Sequence, residues 1–274
     1  MAMAADRSLR VGLGGLGAIG LPLARRLAAG IPGLRLAALS ARDLPSAAAR
    51  LAQLGIAVPV VGPGELAARA DIVVEAMPAA EFRAIAEPAI DAGRLFLPLS
   101  VGALLDHLDL VERARRSGAR IIVPTGALLG LDAVRAAAEG EIRSVRLVTR
   151  KPPGGLAGAP YLVERGISLE GLDRPMKVFD GTAREGARGF PANVNVAAAL
   201  ALAGIGPDRT RLEIWADPAL ERNTHRIELD ADSARLTMTI ENVPSPENPR
   251  TGRLTPLSVI ACLRGLVDTL RVGS

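Results

Sequence analysis

The sequence has a single cysteine, Cys262, and only two histidines in 274 residues. One cysteine excludes an internal disulfide and a metal site built from several thiolates, so we predict no bound metal. No apolar run approaches the ~20 residues of a membrane-spanning helix, and the first eight residues contain no apolar signal-peptide core. We therefore predict a cytoplasmic protein with no membrane partner.

Aromatic residues and clustered charge are also scarce. The chain has one Trp and one Tyr, and its formal net charge is only +4 although the isoelectric point is about 10.1. Lysine occurs only at positions 151 and 177, and the remaining basic residues are arginines that form no block. A nucleic-acid-binding protein needs a basic patch and bases need aromatic faces to stack on, so we predict no nucleic-acid partner.

Glycine, by contrast, is concentrated near the start of the chain. Residues 9–20 read L-R-V-G-L-G-G-L-G-A-I-G, in which two registers of G-x-G-x-x-G overlap, one from Gly12 and one from Gly15. We favour the register from Gly15, because it leaves a full strand over 9–14 and begins a helix at Gly20. Such a turn lets backbone N–H groups approach a pyrophosphate. The predicted phosphate-binding residues are Gly15, Leu16, Gly17, Ala18 and Ile19.

The first half of the chain alternates short apolar runs with helical patterns. Strands are predicted at 34–40, 56–61, 71–76, 95–100 and 120–124, with helices at 46–54, from 79 onward and at 104–117. This alternation is typical of a doubly wound parallel sheet, a Rossmann domain, whose ligands bind beyond the carboxyl ends of the strands. The small residues there leave room for a flat cofactor. The further predicted cofactor-binding residues are Ser40, Arg42, Ala76, Met77, Ser100 and Val101.

The pattern changes after about residue 130. A helix at 133–139, a strand at 144–151, an Ala-rich helix at 193–203 and strands at 211–216, 224–230 and 234–241 indicate a smaller α+β domain with a mostly antiparallel sheet. A last helix is predicted at 255–270. The predicted division is therefore 1–130 for the Rossmann domain, 131–248 for the substrate and dimerisation domain, and 249–274 for a segment that returns to the first domain.

The two histidines differ in their surroundings. His107 lies between aspartates in a predicted helix, where a solvated residue is expected. Alternation along 223–229 places His225 on one strand face with Asn223 and Ile227, opposite Thr224. That face is buried or faces a ligand, so the pattern alone leaves His225 either a core histidine or a catalytic one.

Several motifs, in order along nearly the whole chain, resemble the L-aspartate dehydrogenase family. They are T-G-A-L-L-G-L-D-A from Thr125, K-P-P from Lys151, F-P-A-N-V-N-V-A from Phe190, N-T-H-R-I from Asn223 and N-P-R-T from Asn248. The resemblance implies a Rossmann domain, a smaller domain that builds a homodimer, and oxidation of L-aspartate with NAD or NADP. The implied product is iminosuccinate, which hydrolyses to oxaloacetate and ammonia or enters NAD biosynthesis. By motif, the resemblance makes His225 the active-site histidine and Ala127 and Asn195 nicotinamide-side positions.

The chain departs from the family pattern at two positions. Leu129 is bulkier than the small residue usual in the G-A-I-(A/G)-G loop and would narrow the site. Ala41 stands where the family has the aspartate that takes the ribose hydroxyls, with Ser40 and Arg42 on either side, so NADP is expected to be used at least comparably to NAD.

The expected chemistry assigns roles to a small set of side chains. A histidine near its ordinary pKa could accept a proton from the substrate amine or, as imidazolium, hold a carboxylate. Lys151 could bind a substrate carboxylate, and either Asn193 or Asn195 could simply cap the Ala-rich helix. The predicted substrate-binding residues are Thr125, Gly126, Lys151, Asn193 and His225.

Two other functions stay open. One is a reductase of the dihydrodipicolinate or semialdehyde type, the latter needing a thiol nucleophile that only Cys262 could supply. The other is a dinucleotide-binding sensor without turnover. A homodimer is also predicted, because the helices of the second domain are too few to cover the apolar side of its sheet completely.

Overall fold

The computed structural model describes residues 8–191, 193–245 and 251–273. They divide into two compact units. The first contains the described residues up to Ser100 together with His107–Pro124 and Pro256–Val272; the second contains Val101–Asp106 and the described residues of Thr125–Thr255. In this part of the chain no helix combines the length and apolarity needed to cross a membrane.

The first unit is built on a parallel five-stranded sheet with the order β2-β1-β3-β4-β5. The strands are β1 (Leu9–Gly14), β2 (Leu34–Ser40), β3 (Ile72–Glu75), β4 (Leu95–Pro98) and β5 (Arg120–Ile121). The helices over this stretch are α1 (Gly20–Ala28), α2 (Leu44–Gln53), α3 (Pro63–Arg69), α4 (Phe82–Asp91), α5 (Val101–Asp106), which belongs to the second unit, and α6 (Asp109–Ser117). All four residues of β3 are buried, as expected for a central strand of a parallel sheet.

The C-terminal helix contributes to the core of the first unit. This helix, α11 (Leu254–Gly265), places Val259 and Leu263, both fully buried, in the same apolar cluster as Leu13 and Leu23. After the helix, Val267 packs against Gly33 at the turn before β2. Burial of this kind is worth about 1.5–3 kcal/mol for each large aliphatic side chain, which explains why the segment is fixed in the first unit.

The second unit contains a mixed five-stranded sheet with the order β10-β9-β6-β8-β7. The strands are β6 (Ile142–Lys151), β7 (Met176–Thr182), β8 (Arg211–Ala216), β9 (Asn223–Ala231) and β10 (Arg235–Asn242). Only the pair β6–β8 is parallel, and the other three pairs are antiparallel. The helices are α7 (Leu131–Ala137), α8 (Pro160–Glu164), α9 (Ala183–Gly189) and α10 (Asn195–Ala203). Residues 196–201 of α10 are all buried, and their small side chains let α5, α7 and α9 approach closely.

The fold class expected from the sequence is confirmed, and several elements differ in detail. Residues 56–61 do not form a strand: only Val60 bridges to Leu39, and Pro59 has no N–H with which to extend a ladder. The single helix predicted at 104–117 is two helices that break at His107, and the last helix ends at Gly265. In the structure, the limits between the units fall after Pro124 and after Thr255. The sequence predicted these limits after 130 and 248.

Candidate active site

The glycine turn after β1 has the geometry that a pyrophosphate cradle needs. Gly15 has φ +106°, and a Cβ there would lie 2.4 Å from the carbonyl oxygen of Ala76; a Cβ on Gly20 would lie 2.1 Å from the carbonyl oxygen of Gly15. Gly17 is the opposite case, since a Cβ there would meet no heavy atom within 4 Å. The three glycines of a G-x-G-x-x-G motif serve these three purposes: the first allows a tight turn, the second leaves room for the phosphates to approach, and the third allows the helix to pack closely. The turn therefore fits a dinucleotide in the register that begins at Gly15.

Helix α1 presents its N-terminus to this turn. The residue before the helix, Ile19, provides no side-chain cap. The Leu21 N–H donates to the Gly17 carbonyl oxygen at 3.0 Å and Pro22 has no N–H, so what α1 offers an anion is the positive end of its dipole beside the backbone of the turn. The turn is held in place by the Gly15 N–H, which donates to the Ser40 carbonyl oxygen at 2.7 Å, and by Arg50, whose guanidinium donates to the Leu16 carbonyl oxygen at 3.2 Å.

The end of β2 carries the residues expected to meet the adenosine ribose. Ser40 is buried, whereas Ala41 is half-buried and Arg42 is exposed. The one acidic side chain of this loop, Asp43, accepts a hydrogen bond from the Ser46 N–H at 3.0 Å as the N-cap of α2. Its carboxylate is thus engaged in capping the N-terminus of α2.

In the second unit, His225 and Thr149 face each other across β9 and β6. They are a register pair, and the Nδ1 of His225 lies 3.0 Å from the Thr149 Oγ1. His225 is only 3 % exposed, and alternation along β9 buries Asn223, Ile227 and Leu229 on the same face, as predicted. Thr149 was missed from the sequence, although a threonine two residues before Lys151 on a predicted strand shares its face.

The pKa of His225 is lowered to about 3, by burial in the first place and by the positive charge of Lys151 in the second. Burial and the charge of Lys151 thus hold the pKa of this histidine below the ordinary value expected from the sequence. At a pKa this low the imidazole is neutral at physiological pH, so it has no positive charge with which to hold a carboxylate.

Lys151 lies next to this histidine at the end of β6. It is 4 % exposed, and its ammonium donates to the Asn193 Oδ1 at 2.7 Å. The two predicted substrate residues are thus brought together. Asn193 lies before α10 in a turn closed by its own N–H and the Phe190 carbonyl oxygen.

The capping role considered for the two asparagines is not observed. The N-cap of α10 is Val194, without a side-chain hydrogen bond. Asn195 is the first residue of the helix, and its Oδ1 accepts a hydrogen bond from the Gly102 N–H of α5 at 3.0 Å. That bond engages the amide oxygen of the exposed Asn195 as an acceptor, so the NH2 group is the donor end of the side chain.

The loop before α7 contains the other predicted positions of this unit. Thr125 is exposed and its carbonyl oxygen closes a turn with the Leu128 N–H, while Leu129 is half-buried. The Ala127 carbonyl oxygen accepts a hydrogen bond from the Asn242 amide at 2.8 Å. Part of the N-P-R-T motif, residues 248–250, lies outside the described residues.

Two other reactive side chains, His107 and Cys262, lie in the first unit. His107 stacks on Phe82 and meets Arg83 in the first unit. Burial raises the pKa of the Cys262 thiol, which makes it a poor nucleophile. Within residues 8–191, 193–245 and 251–273, no three His, Cys, Asp or Glu side chains are grouped so as to hold a metal ion.

The first unit has a parallel sheet with a dinucleotide-binding glycine turn, and the second unit has a sheet that buries a histidine beside a lysine. These features define the class of the protein as a two-domain dehydrogenase that depends on a nicotinamide dinucleotide. Residues 15–124 match the family model described as homoserine dehydrogenase, NAD binding domain, and residues 132–266 match aspartate dehydrogenase, C-terminal. The chain belongs to the L-aspartate dehydrogenase family.

Full-length relatives support this membership. The chain is 55% identical to an L-aspartate dehydrogenase of Bradyrhizobium diazoefficiens, over 98% of this chain and 96% of the relative. It is also 55% identical to L-aspartate dehydrogenase 3 of Bordetella bronchiseptica, over 99% and 100% of the two chains. The crystal structure of aspartate dehydrogenase from Thermotoga maritima shares the fold, with a TM-score of 0.71, 23% identity, and 97% and 99% coverage.

Proposed function

We propose that the protein oxidises L-aspartate to iminosuccinate with NAD or NADP, the imine then hydrolysing to oxaloacetate and ammonia. The observation that carries this proposal is the buried pair of His225 and Lys151, which supplies a neutral proton acceptor beside a cation. A dicarboxylic amino acid needs both, because its amine must lose a proton and its carboxylates need positive partners.

Lys151 is proposed to bind a substrate carboxylate. A buried ammonium is stabilised by an anion in contact with it, and the hydrogen bond to Asn193 fixes its position on β6. The carboxylate would in turn offset the positive charge of Lys151, which after burial is the second cause that lowers the pKa of His225. Substrate binding therefore makes the imidazole a better proton acceptor at the moment when it is needed.

His225 is proposed to accept the proton of the substrate amine at Nε2. This requires the tautomer in which Nδ1–H donates to the Thr149 Oγ1, leaving the Nε2 lone pair for the substrate. Thr149 thus orients the ring. A nicotinamide cofactor bound by the residues proposed below would supply the acceptor for the hydride that leaves Cα of the substrate.

The residues proposed to hold the cofactor follow from the geometry above. The glycine turn and the N-terminus of α1 fit the pyrophosphate, and Ser40 and Arg42 are proposed at the adenosine ribose. The NH2 group of Asn195 and the backbone at Ala127 are proposed on the nicotinamide side, as the family resemblance implies.

The proposed activity is tested by following NADH and NADPH formation at 340 nm with a panel of amino acids. We expect turnover of L-aspartate well above that of D-aspartate, L-glutamate and L-alanine. Cofactor binding without turnover of any amino acid would favour the sensor, and reduction of a cyclic imine without oxidation of aspartate would favour the dihydrodipicolinate-reductase type.

Arg42 is proposed to admit the 2′-phosphate of NADP. It is exposed beside the end of β2, no carboxylate stands at position 41, and Asp43 is committed to capping α2. Arg42→Ala is expected to weaken NADPH binding by roughly tenfold, the scale of one charge-assisted pair, and NADH binding much less. Fluorescence titration measures both constants. Arg35→Ala, at an exposed arginine of β2, is the control. Equal losses of affinity for the two cofactors in Arg42→Ala would remove Arg42 from this role.

A homodimer is proposed as well, but the reason is no longer the uncovered apolar sheet face expected from the sequence. The face of the second sheet opposite His225 is not apolar: it carries Trp215 and ion pairs of Arg146 with Glu213 and Glu228 at 2.6 and 2.9 Å. A surface with both signs of charge can pair with its own copy across a two-fold axis. Light scattering at micromolar concentration is expected to give twice the chain mass of 28.4 kDa, and a monomer mass contradicts the proposal.

A further inference from the structure

A buried carboxyl group lies at the centre of the first sheet, and the chemistry described above does not use it. Glu75 is the last residue of β3, is 0 % exposed, and pairs with Gly14 of β1 on one side and Pro98 of β4 on the other. Burial raises its pKa, because removing a carboxylate from water disfavours the charged form. A chain that keeps a glutamate here bears a desolvation cost that valine or leucine would avoid.

The carboxyl group is fully engaged by the two loops that follow β3 and β4. Its Oε1 accepts hydrogen bonds from the Met77 N–H at 2.8 Å and the Ser100 hydroxyl at 3.0 Å. Its Oε2 accepts from the N–H groups of Leu99 and Ser100 at 3.2 and 3.0 Å. The Ser100 hydroxyl also lies 3.1 Å from the Met77 carbonyl oxygen, so that the two loops are joined twice.

We propose that Glu75 is a positioning residue that holds the loops after β3 and β4 in the conformation that binds the dinucleotide. The proposal rests on the proposed dinucleotide-dependent function and on the cofactor-binding role that the sequence predicts for Met77 and Ser100. A side chain from a rigid central strand can align backbone groups of two separate loops, which neither loop could do by itself.

The four donors around Glu75 call for a carboxylate in particular, because its two oxygens only accept. Glutamine has nearly the same volume, but one of its two ends is an NH2 group that only donates. If the amide oxygen pointed toward Leu99 and Ser100, the NH2 group would face the Met77 N–H. If the amide were reversed, the NH2 group would face the N–H groups of Leu99 and Ser100. Either orientation sets donor against donor, so one loop must move. Aspartate is one methylene shorter and cannot reach both loops from the same backbone position.

The test is the Glu75→Gln variant, with NADH and NADPH dissociation constants measured by fluorescence titration beside thermal unfolding. We expect both dissociation constants to rise by roughly tenfold, while the L-aspartate KM at saturating cofactor changes less than twofold. Glu65→Gln is the matched control, since Glu65 is exposed in the same unit and pairs only with Arg69 on its own helix. It should bind both cofactors as the wild type does.

A second variant separates positioning from folding. Ser100→Ala removes one of the four hydrogen bonds but keeps the backbone N–H, so it should fold if Glu75→Gln does not, and should weaken NADH binding by a smaller factor. A lower melting temperature with unchanged dissociation constants in both variants would overturn the proposal. So would wild-type protein that binds neither cofactor. If the wild-type protein binds NADH but does not oxidise aspartate, only the proposed activity is overturned. The role of Glu75 is then still decided by the cofactor dissociation constants of the variants.

Discussion

Replacing His225 with alanine is expected to lower the turnover of L-aspartate by roughly 10²-fold or more while leaving the dissociation constant for NADH nearly unchanged. The imidazole is neutral at physiological pH because its pKa is lowered to about 3, and it is the proposed acceptor of the amine proton. The glycine turn of the first unit, where the cofactor phosphates are proposed to bind, is left unchanged by this substitution. Steady-state kinetics at 340 nm and NADH fluorescence measure the two effects.

The other histidine of the chain provides the control. His107 stacks on Phe82 at a ring-centroid distance of 5.9 Å and lies near the surface of the first unit. His107→Ala is expected to turn over L-aspartate at a rate close to that of the wild type. Thr149→Val, which removes the partner of Nδ1 at almost constant volume, should lower kcat but less than the loss of the imidazole does. If His225→Ala kept near-normal activity and lost only thermal stability, His225 would be an ordinary core histidine.

The sequence was most informative where local pattern and covalent geometry decide the structure. The limits of β1, β2 and β8 agree with the predicted ones, because each is a short apolar or alternating run. The choice between the two glycine registers also followed from local reasoning, since only the one from Gly15 leaves β1 complete. Steric contacts at Gly15 and Gly20 now give that choice a physical reason.

Elements whose signals are weak or polar were missed. Strand β7 and helix α9 follow each other at 176–189 and were not predicted, although Thr182-Ala183-Arg184-Glu185 is a capping-box pattern. In the structure Thr182 and Glu185 do form the reciprocal bonds of that box. The signal was therefore present, but the glycines at 186 and 189 weaken the helical pattern around it.

The electrostatics of the candidate site lay beyond sequence reasoning for a different reason. The pKa of His225 depends on its burial and on Lys151, and the two residues are brought together only by the pairing of β9 with β6. That pairing joins segments about 75 residues apart, and strand register between distant segments is not encoded in either alone. Glu75 was hidden similarly, because it is the polar end of an apolar run and its partners Leu99 and Ser100 lie 24 and 25 residues later in the chain.

A second large effect is expected at Gly17 of the cofactor turn. A Cβ added there meets no heavy atom within 4 Å, and the backbone does not need a left-handed φ, so Gly17→Ala should fold as stably as the wild type. The added methyl group would nevertheless occupy the space through which a pyrophosphate approaches the backbone. We expect the dissociation constants of NADH and NADPH both to rise by roughly tenfold or more, as a cost of about 1.4 kcal/mol or greater requires.

This substitution tests the turn better than changes at its neighbours would. Alanine at Gly15 or Gly20 would collide with backbone oxygens, so a loss of binding there could reflect a distorted turn. Gly64→Ala is the matched control, since Gly64 is equally open in the first turn of α3, and it should leave both cofactor constants unchanged. Fluorescence titration and thermal unfolding of the two variants give the comparison. If Gly17→Ala bound both cofactors as tightly as Gly64→Ala, the phosphates would not lie against this turn, because a methyl group cannot share their space.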